Sequence, residues 1–278
     1  MLTLSLSEEC AVTLRRRRRL LDLSRIVVTI GFTIALAAPA RADAAEIKVL
    51  TSRAMNHVLT ELGGAFERTS GHKVTLILAS PTEIMRRVNS GEIVDVVMSG
   101  ATVDNLVKQG KIAPGDRVVL AQVGIGVAIR AGAPKPDISS PEALKRTLLA
   151  AKSIVYTDPA IGGASGIHFE KVLDRLGIAK EINAKSIRNP LAATKASAEI
   201  VARGEAEFGI QLISEIVSVP GAELLGPLPG DLQAMTAILA GILTTAPQPD
   251  AAKALLRYLT SPAAAPAIQA AGMEPGGS

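Results

Sequence analysis

Residues 47–80 read IKVLTSRAMNHVLTELGGAFERTSGHKVTLILAS, which places a short strand, an amphipathic helix and a second strand in succession. Residues 47–50 alternate like a half-buried strand, whereas residues 73–78 form the apolar run of a buried strand. Between them, apolar residues recur at the spacing of one helical face, namely Val58, Leu59, Leu62 and Phe66. Strands that alternate with helices of this length predict parallel α/β layers.

The same alternation continues through most of the chain, with a boundary at residues 131–136 (AGAPKP). Before that boundary we predict a helix at 83–88, a strand at 94–98, a helix at 101–109 and an extended stretch at 118–129 that Gly124 and Gly126 interrupt. After it we predict helices at 141–150, 167–176 and 194–202, strands at 153–156 and 208–211, an extended segment at 234–243, and helices at 249–259 and 261–271. The Ser140-Pro141 pair is typical of a helix start. The chain is therefore predicted to contain two successive α/β runs.

Residues 1–42 have the three parts of a secretory signal peptide: arginines 15–19, an apolar core at 26–38 and the small-residue pattern of Ala40-Arg41-Ala42. The apolar core is shorter than the roughly 20 residues that a membrane-spanning helix needs. We therefore expect cleavage after Ala42 or after Ala44, and a protein that works in the periplasm.

The leader also accounts for the basic character of the chain. The whole sequence has 30 basic and 26 acidic residues, a net charge of +4, and the leader's seven arginines and three acidic residues supply all of this excess. The rest is neutral and has no block of like charges, so we do not expect a nucleic-acid partner. The single cysteine, Cys10, leaves with the leader, so the mature chain has no thiol for a disulfide or a metal.

Six segments together resemble the periplasmic solute-binding proteins of ABC importers, specifically the molybdate-binding group. They are residues 47–52 (IKVLTS), 65–71 (AFERTSG), 89–96 (NSGEIVDV), 157–159 (TDP), 201–210 (VARGEAEFGI) and 258–262 (YLTSP). Each segment is common singly, but their order and spacing over residues 45–275 is fairly specific.

This resemblance implies a two-lobed, type II-like α/β fold in which each lobe is a mainly parallel sheet flanked by helices. Lobe one would comprise residues 43–125 and 232–278, lobe two would comprise residues 126–231, and two extended crossings would join them. Such a protein would be a monomer that binds a small anion between its lobes and delivers it to an inner-membrane ABC permease. It would use no cofactor, and molybdate would bind as an oxyanion without protein–metal bonds.

Small hydroxyl side chains follow several predicted strands or precede predicted helices: Thr51, Ser52, Ser80, Thr82, Ser165 and Thr194. Ligands of open α/β sheets bind at the carboxyl ends of the strands, where helix N-termini present free amides. These residues are therefore candidate donors to a tetrahedral oxyanion. The alternative is structural, because serines before helices commonly act as caps.

The chain departs from the molybdate-binding pattern at three points. Arg53-Ala54 stands where that pattern has a serine, Ser80-Pro81-Thr82 replaces a run of serines, and Gln211 follows Gly209-Ile210 where a tyrosine is expected. Arg53 could instead bind a carboxylate or a phosphate through two hydrogen bonds, and the structural alternative is a solvated residue at a helix start. A small organic anion therefore remains an alternative ligand, and an exported sensor or scaffold remains an alternative role.

We do not expect an enzyme from the sequence. The best catalytic pair is His168 near Ser165, and we interpret this histidine as a surface residue at a helix start. No nucleophile elbow, P-loop or metal-ligand motif accompanies it, and residues 162–166 (GGASG) have neither the Walker lysine nor dinucleotide spacing.

Overall fold

The computed structural model describes residues 44–190 and 192–276, so the predicted leader at 1–42 lies outside the described residues. The strands are β1 (Glu46–Thr51), β2 (Lys73–Leu78), β3 (Val96–Met98), β4 (Ile112–Val123), β5 (Ile125–Arg130), β6 (Ile154–Thr157), β7 (Ser186–Asn189), β8 (Phe208–Leu212), β9 (Ala222–Pro227), β10 (Thr236–Leu243) and β11 (Glu274–Pro275). The helices are α1 (Asn56–Ser70), α2 (Pro81–Asn89), α3 (Gly100–Lys108), α4 (Pro141–Ala150), α5 (Ala164–Leu176), α6 (Ala179–Asn183), α7 (Ser197–Ala202), α8 (Ile213–Val217), α9 (Pro249–Leu259) and α10 (Ala265–Ala270).

The strands form two mixed sheets. The first has the order β11-β4-β10-β3-β1-β2. In it, β1 pairs in parallel with β2 and β3, and β10 pairs antiparallel with both of its neighbours, β3 and β4. The second has the order β7-β6-β8-β5-β9, in which β6, β7 and β8 are parallel and β5 pairs antiparallel with both neighbours. The predicted α/β fold with two sheets is confirmed, but the sheets are mixed and not mainly parallel, because β4, β5, β9, β10 and β11 all pair antiparallel with their neighbours.

The chain passes between the sheets twice, and the two crossings are tied to each other. It leaves β4 of the first sheet at Gly124 and enters β5 of the second, and it returns between β9 and β10. The amide of Gln233 in the returning segment accepts from the backbone N–H of Ile125 and donates to the Ile125 carbonyl, both at 2.9 Å. These two hydrogen bonds hold the crossings side by side.

Aliphatic side chains fill the core. The apolar face predicted for α1 is confirmed, because Val58, Leu59, Leu62 and Phe66 are all buried. In the second sheet, Tyr156 of β6 packs edge-on against Phe169 of α5, with ring centroids 5.2 Å apart. Each sheet is thus anchored to the helix that follows one of its strands.

Several helix boundaries differ from the sequence-based predictions. The predicted cap at Ser140 is confirmed, since its Oγ accepts from the backbone N–H of Ala143. However, α7 begins at Ser197, so Thr194 is not at a helix start, and residues 192–194 form a turn instead. Helix α5 begins at Ala164 inside the glycine-rich segment, so Ser165 is its second residue and does not precede it. The sequence analysis placed the start of this helix too late, because glycine normally favours turns over helices.

In the part of the chain that the structure describes, none of the helices is both long enough and apolar enough for a membrane crossing.

Candidate functional site

A cavity of about 320 Å³ lies where strands of both sheets end. Its walls include residues that follow β1 (Ser52, Arg53), β2 (Ala79, Ser80), β3 (Ser99) and residues at the ends of β6 (Thr157) and β8 (Leu212). These are the carboxyl ends of strands, where open α/β sheets bind ligands. We call this space the cleft cavity.

Helix N-termini surround the cleft cavity. Helix α2 begins beside it at Ser80, whose Oγ accepts from the Glu83 N–H at 3.2 Å. Helices α3 and α5 also begin there, directly after their cap residues Ser99 and Gly163, and the side chain of Ser99 accepts no hydrogen bond from its helix. The positive ends of helix dipoles and their free N–H groups favour an anion. The cavity is therefore suited to negatively charged ligands.

Arg53 connects the cavity wall of the first sheet to helix α7 beside the second sheet. Its Nη2 donates to Glu199 Oε1 at 2.5 Å, and its Nη1 donates to the Thr194 carbonyl at 3.0 Å. The side chain is 15% exposed. A guanidinium has five N–H donors, so these two bonds leave others for a ligand in the cavity.

Helix α5 presents three polar side chains to the cavity at intervals of three residues: Ser165, His168 and Lys171. The ring of His168 is fixed by a 2.8 Å hydrogen bond between Nε2 and the carbonyl of Leu232. Because a carbonyl can only accept, Nε2 carries the hydrogen and Nδ1 is left as an acceptor in neutral histidine. Lys171 adds a positive charge at the exposed end of the same face.

Glu215, on the short helix α8 that follows β8, also lines the cavity. Burial raises the pKa of its carboxyl to about 7, although the charge of Arg53 and hydrogen bonds from Leu212 and Gln211 act in the opposite direction. Burial disfavours the charged form of a carboxyl, which explains the sign of the shift. Glu215 therefore changes protonation near neutral pH.

The glycine-rich segment lets α5 approach the end of β6 closely. A Cβ on Gly166 would lie 1.9 Å from the Thr157 carbonyl oxygen, and a Cβ on Gly163 would lie 2.5 Å from the Thr157 methyl group. No side chain fits at either contact. The segment thus serves helix–strand packing at the cavity wall, and it has no nucleotide-binding spacing.

We expect Gly166→Ala to lower the free energy of unfolding by about 1–3 kcal/mol, because the added methyl must displace backbone that is already packed. This corresponds to a fall in Tm of about 2–4 °C per kcal/mol for a chain of this size. The control is Gly64→Ala on α1, where the nearest atom would be 3.5 Å away. Gly64→Ala should leave Tm at or above the wild-type value. An equal fall in Tm for both variants would contradict the proposed contact between Gly166 and Thr157.

Four of the seven sequence-predicted ligand residues line the cleft cavity: Ser52, Arg53, Ser80 and Ser165. Thr51 is fully buried and its hydroxyl donates to the Ser52 carbonyl at 3.0 Å. Thr82 lies beside the wall, with its Oγ1 3.5 Å from the Ala160 carbonyl. The Thr194 carbonyl accepts from Arg53. These three residues do not line the cavity, and their binding role stays a prediction.

Other lining residues escaped the sequence-based prediction, namely Ser99, Thr102, Thr157, Lys171 and Glu215. Ser99 directly follows a predicted strand, so the strand-end rule that selected Ser80 would have found it. His168 was interpreted as a surface residue, but it is half-buried at the cavity wall. Within the described residues, no group of three or more His, Cys, Asp or Glu side chains is placed to hold a metal ion.

Residues 47–274 match the bacterial extracellular solute-binding proteins. The chain belongs to this family. The molybdate-binding protein ModA of Azotobacter vinelandii is 28% identical over 258 residues, covering 90% of this chain and 97% of that protein. Family members bind a small ligand, which agrees with the cavity described above.

Solved structures confirm the two-sheet fold of this solute-binding protein. The periplasmic molybdate-binding protein of Azotobacter vinelandii superposes with a TM-score of 0.70 at 22% identity, covering 82% of this chain and 98% of that one. The sulfate-binding protein SubI of Mycobacterium tuberculosis H37Rv superposes with a TM-score of 0.66 at 16% identity, covering 83% and 87%. At these identities the likeness concerns the fold alone.

A third relative changes the functional interpretation. An aconitate isomerase from Pseudomonas sp. is 38% identical over 236 residues, covering 82% of this chain and 87% of that protein. The prediction that the chain is not an enzyme is therefore wrong. It relied on the absence of familiar catalytic motifs, and a solute-binding fold of high similarity can carry catalysis without them.

Proposed function

We propose that the protein is an exported isomerase that acts on aconitate or a closely similar unsaturated tricarboxylate in the cleft cavity. The observation that carries this proposal is the 38% identity to an aconitate isomerase over most of both chains. The organic-anion alternative raised by Arg53 in the sequence analysis points to the same ligand class.

The charges of the cavity support a polycarboxylate. Carboxyl groups with pKa values near 4 are ionised at neutral pH, so aconitate carries three negative charges there. Arg53 and Lys171 supply two cations, and the N-termini of α3 and α5 supply free backbone N–H groups. Planar carboxylates pair well with a guanidinium through two parallel hydrogen bonds.

The size of the cavity supports the same class of ligand. The cavity has a volume of about 320 Å³. This volume lies at the lower end of the roughly 300–1,000 Å³ of small-molecule pockets. A six-carbon anion uses such a space better than a single tetrahedral oxyanion does.

The reaction needs only acid–base chemistry. Aconitate has a CH2 group bonded to the central carbon of its double bond, and the neighbouring carboxylate and alkene make these protons removable. Removing one proton there and adding one at the other end of the three-carbon unit moves the double bond. Because the former single bond can rotate beforehand, the new double bond can form with the other geometry. No redox change and no cofactor is required by this balance.

Binding of molybdate or a related oxyanion is the second candidate, favoured by the ModA relative and by the hydroxyls of Ser52 and Ser80 in the cavity. This function would require an inner-membrane permease as partner, whereas an exported isomerase needs none. We also propose that residues 43–125 with 232–278 and residues 126–231 form two lobes, and that ligand binding brings them together around Arg53.

The test uses the chain from Asp43 onward, with cis-aconitate and trans-aconitate supplied separately and both isomers followed by proton NMR. We expect conversion from either side to the same equilibrium ratio. We also expect aconitate at about one hundred times its Kd to raise Tm by roughly 5–10 °C, the shift for about 2.7 kcal/mol of linked stabilisation. Stabilisation by molybdate or tungstate, with neither binding nor conversion of aconitate, would overturn the proposal in favour of the oxyanion.

A further inference from the structure

We propose that Glu215 is the general base that removes the CH2 proton of the tricarboxylate, and that Gln211 is the positioning residue that aims its carboxylate into the cleft cavity. This inference rests on the proposed isomerase function. It assigns the reaction to two residues of the β8–α8 segment.

The first support is the position of Glu215. Among the described residues that line the cavity, Glu215 alone carries a carboxyl group. The nearby carboxylate of Glu199 is occupied by Arg53 at 2.5 Å and by the backbone N–H of Ala196 at 3.2 Å. None of the ion pairs found among the described residues involves Glu215. Its carboxyl accepts hydrogen bonds from Gln211 and from the backbone of Leu212, and a carboxylate has further lone pairs that can accept from a substrate.

The second support is the fixed orientation of Gln211. This side chain is 1% exposed, and its Oε1 accepts from the backbone N–H of Ala198 at 2.7 Å. That bond determines which end of the amide is the donor, so Nε2 faces Glu215 Oε2 at 3.3 Å. Gln211 thereby holds one carboxylate oxygen of Glu215. The backbone of Leu212 also donates to this carboxyl, and the remaining lone pairs of the carboxylate can take the proton.

The third support is the pKa of Glu215, which suits a general base that works near neutral pH. A general base works best when its pKa lies near the working pH, and burial raises the pKa of Glu215 to about 7. The charged or titratable side chains that share the cavity with it are Arg53 on the turn after β1 and His168 and Lys171 on α5. Arg53 also offers positive charge to the anion that forms when the proton leaves.

The proposed step balances as follows. The ionised carboxylate of Glu215 takes a proton from the CH2 carbon, and the C–H electron pair joins the alkene to form an allylic anion that extends into the terminal carboxylates. The neutral Glu215 carboxyl then gives its proton to the carbon at the opposite end. One C–H bond has broken, one has formed, the double bond has moved, and Glu215 is again ionised.

The main experiment compares the wild-type protein with Glu215→Gln in D2O. We expect the variant to lose about 10²–10⁴-fold in kcat, the usual contribution of a general base. Deuterium entry into the CH2 position should fall by the same factor, while aconitate should still raise the variant's Tm. Conversion by Glu215→Gln at more than a tenth of the wild-type rate would overturn the assignment. Failure of the wild-type protein to convert aconitate would instead overturn the proposed function.

Glu215→Asp keeps a carboxylate, and it serves as a second test of the assignment in case Glu215→Gln does not fold. We expect it to convert aconitate more slowly than the wild type and faster than Glu215→Gln. Equal rates for Glu215→Asp and Glu215→Gln would show that the carboxylate does no chemistry.

The pH profile separates the role of Glu215 from that of His168, the imidazole that lines the same cavity. Because the base must be ionised, kcat/KM of the wild type should rise with pH and level off above about 7. His168→Asn should keep this rise. Gln211→Met removes a donor that favours the ionised carboxyl, so its midpoint should move to higher pH. Loss of the rise in His168→Asn, or an unmoved midpoint in Gln211→Met, would contradict the roles proposed here.

Discussion

Arg53→Ala should weaken aconitate binding by about 10–150-fold, because it removes charge-assisted hydrogen bonds that contribute about 1.5–3 kcal/mol. The physical reason is the position of the guanidinium at the cavity wall, where Glu199 and the Thr194 carbonyl hold it. It is held in place before a ligand arrives, so little side-chain entropy is lost on binding. The measurement is the Kd from calorimetry at fixed ionic strength.

Two variants make this prediction specific. Arg53→Lys keeps the charge but loses the planar fork of donors, so we expect it to recover only part of the affinity. The matched control is Arg86→Ala, which removes an exposed arginine that pairs with Glu83 on α2. Its effect should be close to zero, as for most surface ion pairs. Wild-type affinity in Arg53→Ala would show that the carboxylates bind elsewhere.

The sequence was sufficient to predict the layers of the fold because strand and helix periodicities alternate clearly in it. Strands β1 and β2 and the apolar face of α1 follow directly from residues 47–80. The start of α5 could not be predicted, since GGASG has the composition of a loop. The contact between Gly166 and Thr157 explains why a glycine stands inside the helix at this point.

The candidate site was predictable to the extent that it follows strand ends. Ser52, Arg53 and Ser80 come two or three residues after predicted strands, and all three line the cavity. Glu215 also lies three residues beyond β8, but its environment depends on a hydrogen bond from Gln211 and on the charge of Arg53, which is distant in sequence. The raised pKa of Glu215 arises from burial in the folded chain, so no sequence motif could have predicted it.

The role proposed for Glu215 gives the departure at Gln211 a function. The resemblance to molybdate-binding proteins led us to expect a tyrosine at this position. Its replacement by glutamine removes a hydroxyl that could donate to an oxyanion. The structure gives this glutamine two other partners, the start of α7 and the carboxyl of Glu215. An orienting contact to a buried acid is what proton transfer requires, and a static oxyanion shell has no need of it.

Asp95→Ala should lower the free energy of unfolding by about 2–4 kcal/mol, because two partly buried backbone donors would lose their buried acceptor, in the lower part of the range of about 1–3 kcal/mol per group. The Asp95 side chain is 1% exposed; its Oδ2 accepts from Lys48 N–H at 2.8 Å and its Oδ1 from Gln248 N–H at 2.7 Å. It thus joins β1, the start of β3 and the start of α9.

The expected fall in Tm is about 5–15 °C at roughly 2–4 °C per kcal/mol, measured by calorimetry without ligand. Asp95→Asn keeps one acceptor and should lose less. The control is Asp104→Ala, which removes a half-exposed partner of Arg117 and should shift Tm by only a degree or two. Because β3 leads directly to Ser99 in the cleft cavity, Asp95→Ala should also weaken ligand binding. A Tm within about 2 °C of the wild type would mean that water replaces the carboxylate and that the cavity wall does not depend on this contact.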